Sequence, residues 1–189
     1  MTEHIFTEDQ KMFILRIARE SGGNEIRKTK QQNYSKEAGA LGLTFVPGGT
    51  FVTYKINGQL RGCIGCFSPH KPFYELVQEY AIEACKDYRF RRMKPVEFDN
   101  TTISVSCLSK MEEIKDPLKT VIAGKHGIYV EYGQDDGTFL PQVATEQKWD
   151  TKTFCLECAY NKAGISRSVD VFNNPNVHWS IYTATIVSE

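Results

Sequence analysis

The residues with the most chemistry to offer lie in one short run, Leu60-Arg61-Gly62-Cys63-Ile64-Gly65. A guanidinium held near a thiol favours the thiolate, the form that attacks electrophiles and ligates metals. Arg61 and Cys63 stand two apart, which on a strand places them on one face. They are therefore the candidate catalytic residues. A nucleophilic cysteine needs a base, most often histidine, and the chain offers His4, His70, His126 and His178. His70 follows the run closely and His126 opens a later glycine-led segment, so these two are the candidate bases. His4 is set aside as part of a mobile terminus and His178 as an ordinary strand residue. Two quieter readings stand beside this one. Unbridged cysteine is among the most buried residue types, so Cys63 also reads as core filler, with Arg61 as a salt-bridge anchor between lobes. The run also reads as a binding surface without chemistry.

Cys63/Cys66 and Cys155/Cys158 both have the C-x-x-C spacing of a zinc half-site. The two pairs lie much further apart than the ~15–20 residues of a compact zinc ribbon. Cys155 and Cys158 also fall on one face of a predicted helix, which suits buried thiols. No metal site and no cofactor is predicted. Cys85 and Cys107 fall on apolar faces and read as core. Six cysteines in 189 residues are too sparse for a disulfide scaffold, so reduced thiols in the cytoplasm or nucleus are expected.

The segment Tyr88-Arg89-Phe90-Arg91-Arg92-Met93-Lys94-Pro95 interleaves cations with aromatics, a pattern that grips phosphate or stacks on a base. The whole chain, however, carries 23 Lys and Arg against 23 Asp and Glu, a formal net charge of zero. That counts against a dedicated nucleic-acid binder. A solvated loop, with Arg89 clamped to Asp87, is the plainer reading. The chain has no Walker motif, GxGxxG, HExxH or GxSxG, so nucleotide-cofactor, zincin and serine-hydrolase chemistries have no motif support.

The elements that must position these residues follow from periodicity. At 189 residues, with 41% hydrophobic and 24% charged content, the chain is one large domain or two small lobes with an ordinary soluble composition. No apolar run approaches the ~20 residues of a membrane span. The first ten residues carry three acids and no apolar run, so no secretory signal is expected. A helix is predicted over Thr7–Ser21, opened by a Thr7/Gln10 capping box and stopped by Gly22-Gly23. Residues 24–39 read as loop or weak helix. The segments 51–56 and 59–67 flank Asn57-Gly58, the type I′ turn dipeptide, and predict a hairpin. Its register would pair Ile56 with Gln59, Tyr54 with Arg61 and Val52 with Cys63. Gly65 would leave open space beside the thiol, and Gly62 would let another backbone approach from the opposite face. A helix follows over Pro72–Lys86, with apolar residues at Phe73, Leu76, Val77, Tyr80, Ala81 and Ala84. Next come a strand over 101–109, a short helix from Asp116-Pro117 to Gly124 and a strand over 127–132. A hairpin through 133–137 leads into 138–143. A helix opens at Asp150 and runs to Gly164, and a final strand covers 179–187. The fold class is α+β with antiparallel sheet.

Leu60–Gly65 resembles the signature of the AMMECR domain family. The resemblance continues in order through Asp87–Phe90 (its D-x-R-F segment), the strand over 102–109, the glycine-led strand from His126, and Thr138–Asp150 (its LPxVAxEQxWD block). It ends at Lys162–Gly164. It implies two unequal lobes, each an antiparallel sheet flanked by helices, with a cleft between them. The large lobe would be about 1–111 plus 166–189 and the small inserted lobe about 112–165. The family brings no established activity. Related sequences are sometimes fused or paired with Memo-type and radical S-adenosylmethionine-type proteins, which hints at a modification pathway. By resemblance, the cleft side chains are Leu60, Arg61, Gly62, Cys63, Ile64, Gly65, Arg89 and Gln142. Glu146, Trp149 and Asp150 in the last block read as helix surface, packing and helix cap. The expected function is a cleft that binds a protein or peptide partner at the Leu60–Gly65 face. The alternative is an enzyme using Cys63 as a nucleophile or redox-active thiol in a modification pathway. Neither membrane nor nucleic acid is expected as a partner.

Overall fold

The computed structural model describes residues 4–189. Among them, eight strands form two four-stranded antiparallel sheets accompanied by seven α-helices, an α+β architecture. The chain divides into two compact units, one of His4–Leu108 with Thr185–Glu189 and one of Ser109–Ala184. No helix among the described residues is long and apolar enough to cross a membrane.

The first unit holds a sheet of order β2-β1-β3-β8, with β1 Gly49–Ile56, β2 Gln59–Phe67, β3 Thr102–Leu108 and β8 Ala184–Ser188. Helices α1 (Glu8–Arg27), α2 (Ser35–Ala40), α3 (Phe73–Ala84) and α4 (Pro95–Asp99) accompany it. Thr7 and Gln10 form the capping box at the start of α1. Gly22-Gly23 do not stop that helix. Both glycines are buried inside it, and a Cβ on Gly22 would strike the Tyr54 hydroxyl and the Phe98 ring. They are there for close approach, and α1 ends at Lys28 in the left-handed conformation. The core joins Phe13, Ile14 and Ile17 of α1 and Val77 and Ala81 of α3 to Val52, Tyr54, Ile103 and Val105 of the sheet. The buried Tyr54 hydroxyl reaches the carbonyls of Ala18 (3.2 Å) and Ala81 (3.1 Å), so its polar end is satisfied between two helices. The His4 ring is stacked on Phe45, ring centroids 4.4 Å apart.

The second unit holds a sheet of order β4-β7-β5-β6, with β4 Glu112–Ile114, β5 Gly127–Tyr132, β6 Asp135–Phe139 and β7 His178–Tyr182. Helices α5 (Pro117–Thr120), α6 (Pro141–Gln147) and α7 (Thr151–Leu156) belong to it. Asp116 and Asp150 cap α5 and α7 through their carboxylates. The predicted hairpin at 133–137 is tighter than expected, because β6 already begins at Asp135 and Pro141 opens α6. After α7 the chain widens into a π-helical turn over Glu157–Lys162. The single strand expected over 179–187 is two strands in different sheets. The chain breaks at Thr183, whose backbone bonds Ser109 in both directions.

Candidate functional site

Asn57 and Gly58 both have positive φ, 50° and 77°, as a type I′ turn requires. Ile56 pairs with Gln59 as the turn dictates, but the register shifts between Tyr54 and Lys55. Arg61 is the extra residue of a β-bulge. Beyond it Gly62 stands opposite Tyr54, Cys63 opposite Thr53, Ile64 opposite Val52 and Gly65 opposite Phe51. The predicted Tyr54–Arg61 and Val52–Cys63 pairs are therefore each displaced by one. A one-residue shift exchanges the two faces of a strand. It turns Gly62 and Ile64 towards the core with Tyr54 and Val52, and Ile64 packs against the core cluster. Cys63 and Gly65 share the opposite, half-buried face with Thr53 and Phe51.

Gly62 does what a missing side chain permits. A Cβ there would collide with the carbonyl oxygen of Ala84 in the last turn of α3. This close approach brings Asp87, whose side chain is only 1% exposed, to the outer edge of β2. Its Oδ2 accepts the Cys63 backbone N–H at 2.9 Å. Its Oδ1 accepts the Arg89 backbone N–H (3.1 Å) and Nε (3.0 Å), and Arg89 Nη2 reaches Oδ2 at 2.6 Å. Arg89 Nη2 also donates to the Cys63 carbonyl at 2.9 Å. The Asp87–Arg89 pair thus takes both outward backbone groups of Cys63, a cap on an edge strand. The Arg89 guanidinium and two backbone N–H donors hold the Asp87 carboxyl far down, at about 2, against the opposing effect of burial.

Gly65 does not leave open space beside the thiol. The ring of Phe51 lies over it, and a Cβ would meet that ring and the Thr50 carbonyl. Phe67 packs edge-on against Phe51, ring centroids 5.2 Å apart. An aromatic laid across a cross-strand glycine covers backbone that would otherwise be bare. Thr53 donates its hydroxyl to Cys63 Sγ at 3.1 Å.

Arg61 is engaged away from the thiol. Its Nη2 donates to the Arg91 carbonyl at 2.9 Å, and its Nε and Nη2 lie 3.4 Å from the two Glu97 carboxylate oxygens. Glu97 also accepts the Lys94 backbone N–H at 2.9 Å. That backbone bond and the Arg61 guanidinium are the first causes of a carboxyl depressed to about 2. Arg61 is a salt-bridge anchor as expected, but its partner sits on α4 of the same unit. Leu60, beside the turn, is 41% exposed.

His70 is exposed, just after β2. His126 is buried in the second unit, where its Nδ1 accepts the Ile122 backbone N–H at 3.2 Å. Burial lowers its pKa, with Lys125 adding to the effect. It caps a turn. Gln142 is the second residue of α6 in the second unit, and its buried Oε1 has no hydrogen-bond partner among the described residues. His178 lies on β7, 3.3 Å from a Glu113 carboxylate oxygen. All six cysteines are unbridged, and Cys85, Cys107, Cys155 and Cys158 are buried. Burial pushes the thiols of Cys85, Cys107 and Cys155 up to about 12. Among the described residues, no group of three or more His, Cys, Asp or Glu side chains is placed to hold a metal ion.

Thr53, Asp87, Glu97 and Phe51 complete the hairpin's surroundings, and sequence reasoning weighed only Asp87 among them, as a partner for Arg89. The i, i+2 spacing of Asp87 and Arg89 was the one legible signal. The Thr53–Cys63 contact depends on the bulge.

A profile of the AMMECR1 family matches residues 15–187. A protein from Methanothermobacter thermautotrophicus is 39% identical over 148 residues, 75% of either chain. Protein MK0488 of Methanopyrus kandleri is 33% identical, covering 97% of this chain and 90% of its own. The crystal structure of the uncharacterized protein PH0010 from Pyrococcus horikoshii superimposes with a TM-score of 0.84 at 30% identity, over 96% of this chain and 92% of that one. The signature hairpin, its brace and these matches along almost the whole length lead to one assignment: the chain belongs to the AMMECR1 family.

Proposed function

We propose that this chain is a protein-interaction module whose Leu60–Gly65 hairpin presents a rigid face to a protein or peptide partner. One observation carries the reading. The charged side chains of the signature and its brace are spent on holding the hairpin: Arg61 on Glu97 and Arg91, Arg89 on Asp87 and Cys63. What the strand presents on its other side is the half-buried row of Phe51, Thr53, Cys63, Gly65 and Phe67. A preorganised face loses little entropy on binding, which is where rigid recognition surfaces gain affinity.

The test is peptide selection against the purified protein. Clones should be recovered whose binding falls at least tenfold when Thr53→Arg or Cys63→Arg blocks the face, with the circular dichroism spectrum unchanged. A selection in which no clone depends on that face refutes the reading. The thiol alternative has its own supporting contact, the Thr53 hydroxyl at 3.1 Å from Sγ, since a donor to sulfur favours thiolate. Cys63→Ser separates the two. An interaction face tolerates it, whereas nucleophilic or redox chemistry does not.

A further inference from the structure

The segment that braces the hairpin carries a second surface. Tyr88–Lys94 is pinned from inside, with Met93 buried in the core, Phe90 N–H bonded to the Asp87 carbonyl at 3.0 Å, and the Lys94 N–H taken by Glu97. The backbone is fixed, so the remaining side chains project outward in a defined order. Tyr88 is 89% exposed and Val96, just beyond, 66%. The side chain of Arg91 is 78% exposed, and Arg92 and Lys94 are exposed as well.

Charge is unbalanced here although the whole chain is neutral. Five cations (Arg61, Arg89, Arg91, Arg92 and Lys94) gather around two carboxylates, Asp87 and Glu97. Both carboxylates are already occupied by the bonds described above. Among the described residues no ion pair engages the side chain of Arg92 or Lys94. The neighbouring pairs, Lys86–Glu83, Lys28–Glu25 and Arg27–Asp99, are each neutral and leave a net positive excess; the Glu25 carboxyl, lowered first by its bond to Lys28, also feels Arg92 at longer range.

We infer that this brace is a docking surface for a short acidic segment of another protein, its carboxylates meeting Arg91, Arg92 and Lys94 and an apolar side chain packing on Tyr88. Charge complementarity selects the occupant's sign, and the exposed ring and Val96 select its apolar anchor. Size selects its class. Seven extended residues span at most ~25 Å, enough for three or four charge contacts. That falls short of the ~6–10 phosphate contacts of a strongly salt-dependent nucleic-acid binder. The surface is distinct from the outer face of the hairpin, and the inference stands whether or not that face binds a partner.

The test uses the full chain and two fluorescein-labelled peptides, one of six glutamates and a tryptophan, the other with serines in place of the glutamates. Fluorescence anisotropy at low and high salt should show binding of the glutamate peptide only, weakening as salt rises. Arg92→Glu with Lys94→Glu should weaken binding at least tenfold, and Tyr88→Ala by severalfold, with thermal unfolding unchanged. Lys125→Glu with Lys152→Glu, the same charge reversal in the other unit, should leave binding intact. The inference is overturned if the parent fails to bind the glutamate peptide. It is also overturned if the Arg92/Lys94 reversal binds like the parent, if the Lys125/Lys152 control loses as much, or if a labelled oligothymidylate of equal charge binds more tightly than the peptide.

Discussion

Replacing Asp87 with asparagine keeps the shape of the brace and removes its charge. In the parent, this buried carboxylate accepts the Cys63 N–H, the Arg89 N–H and the Arg89 guanidinium. Its folded pKa is lowered to about 2, against an unfolded value of ~3.9. A depressed carboxyl pKa stabilises the fold at every pH above the unfolded value, and the gain is lost as pH falls towards the folded one. The gap corresponds to about 2–3 kcal/mol. For a chain of this size that is a drop on the order of 5–10 °C in melting temperature. Circular dichroism melts of the parent and Asp87→Asn should differ by that amount from pH 8 down to about 4, and the difference should shrink below pH ~4. Two further readouts bind the effect to the geometry. The Cys63 amide should exchange with solvent faster in the variant, because Asp87 is its acceptor. Arg89→Gln should add little in the Asp87→Asn background, since the two residues act as one unit. A variant that melts within a degree of the parent at pH 7 would refute the reasoning, as would a difference that widens on acidification.

Gly62→Ala should destabilise the hairpin unit by ~1–3 kcal/mol through overpacking, because its Cβ meets the Ala84 backbone; chemical denaturation measures this, and a neutral result would mean that α3 is free to move. Gly58→Ala should cost ~1–2 kcal/mol for a different reason, a left-handed backbone at φ 77° with no neighbour within 4 Å of the new Cβ; Gly58→Asn, which tolerates that conformation, should recover most of it. Iodoacetamide under native conditions should modify Cys63 and Cys66 well before Cys85, Cys107 and Cys155, whose buried thiols are pushed up to about 12, since accessible thiolate governs the rate. Peptide mass mapping reads the order, and equal labelling of all six would contradict the burial pattern.

The sequence by itself determined what depends on neighbours along the chain. Thr7 and Gln10 had to cap α1, Asn57-Gly58 had to turn, and Asp116-Pro117 and Asp150 had to open helices. Each of these signals acts within about four residues, so composition and spacing are enough to read them. The family resemblance rested on the same kind of local run. The tertiary structure decided whatever required a distant partner. Gly22-Gly23 have the composition of a helix stop, yet they continue α1 because Tyr54 and Phe98 need the space above them. The stretch 179–187 alternates like one strand, yet it serves two sheets because Ser109 holds the chain at Thr183. The site itself was divided in the same way. That Gly62 admits another backbone and that Arg89 holds Asp87 were legible from a missing Cβ and an i, i+2 spacing. That Cys63 faces Thr53, that Phe51 fills the space over Gly65, and that Arg61 turns to Glu97 all follow from a single bulged residue. The bulge is a matter of how β2 seats against β1, with the Ala84 carbonyl lying where a Gly62 Cβ would be, and no alternation of side chains within Gln59–Phe67 records it.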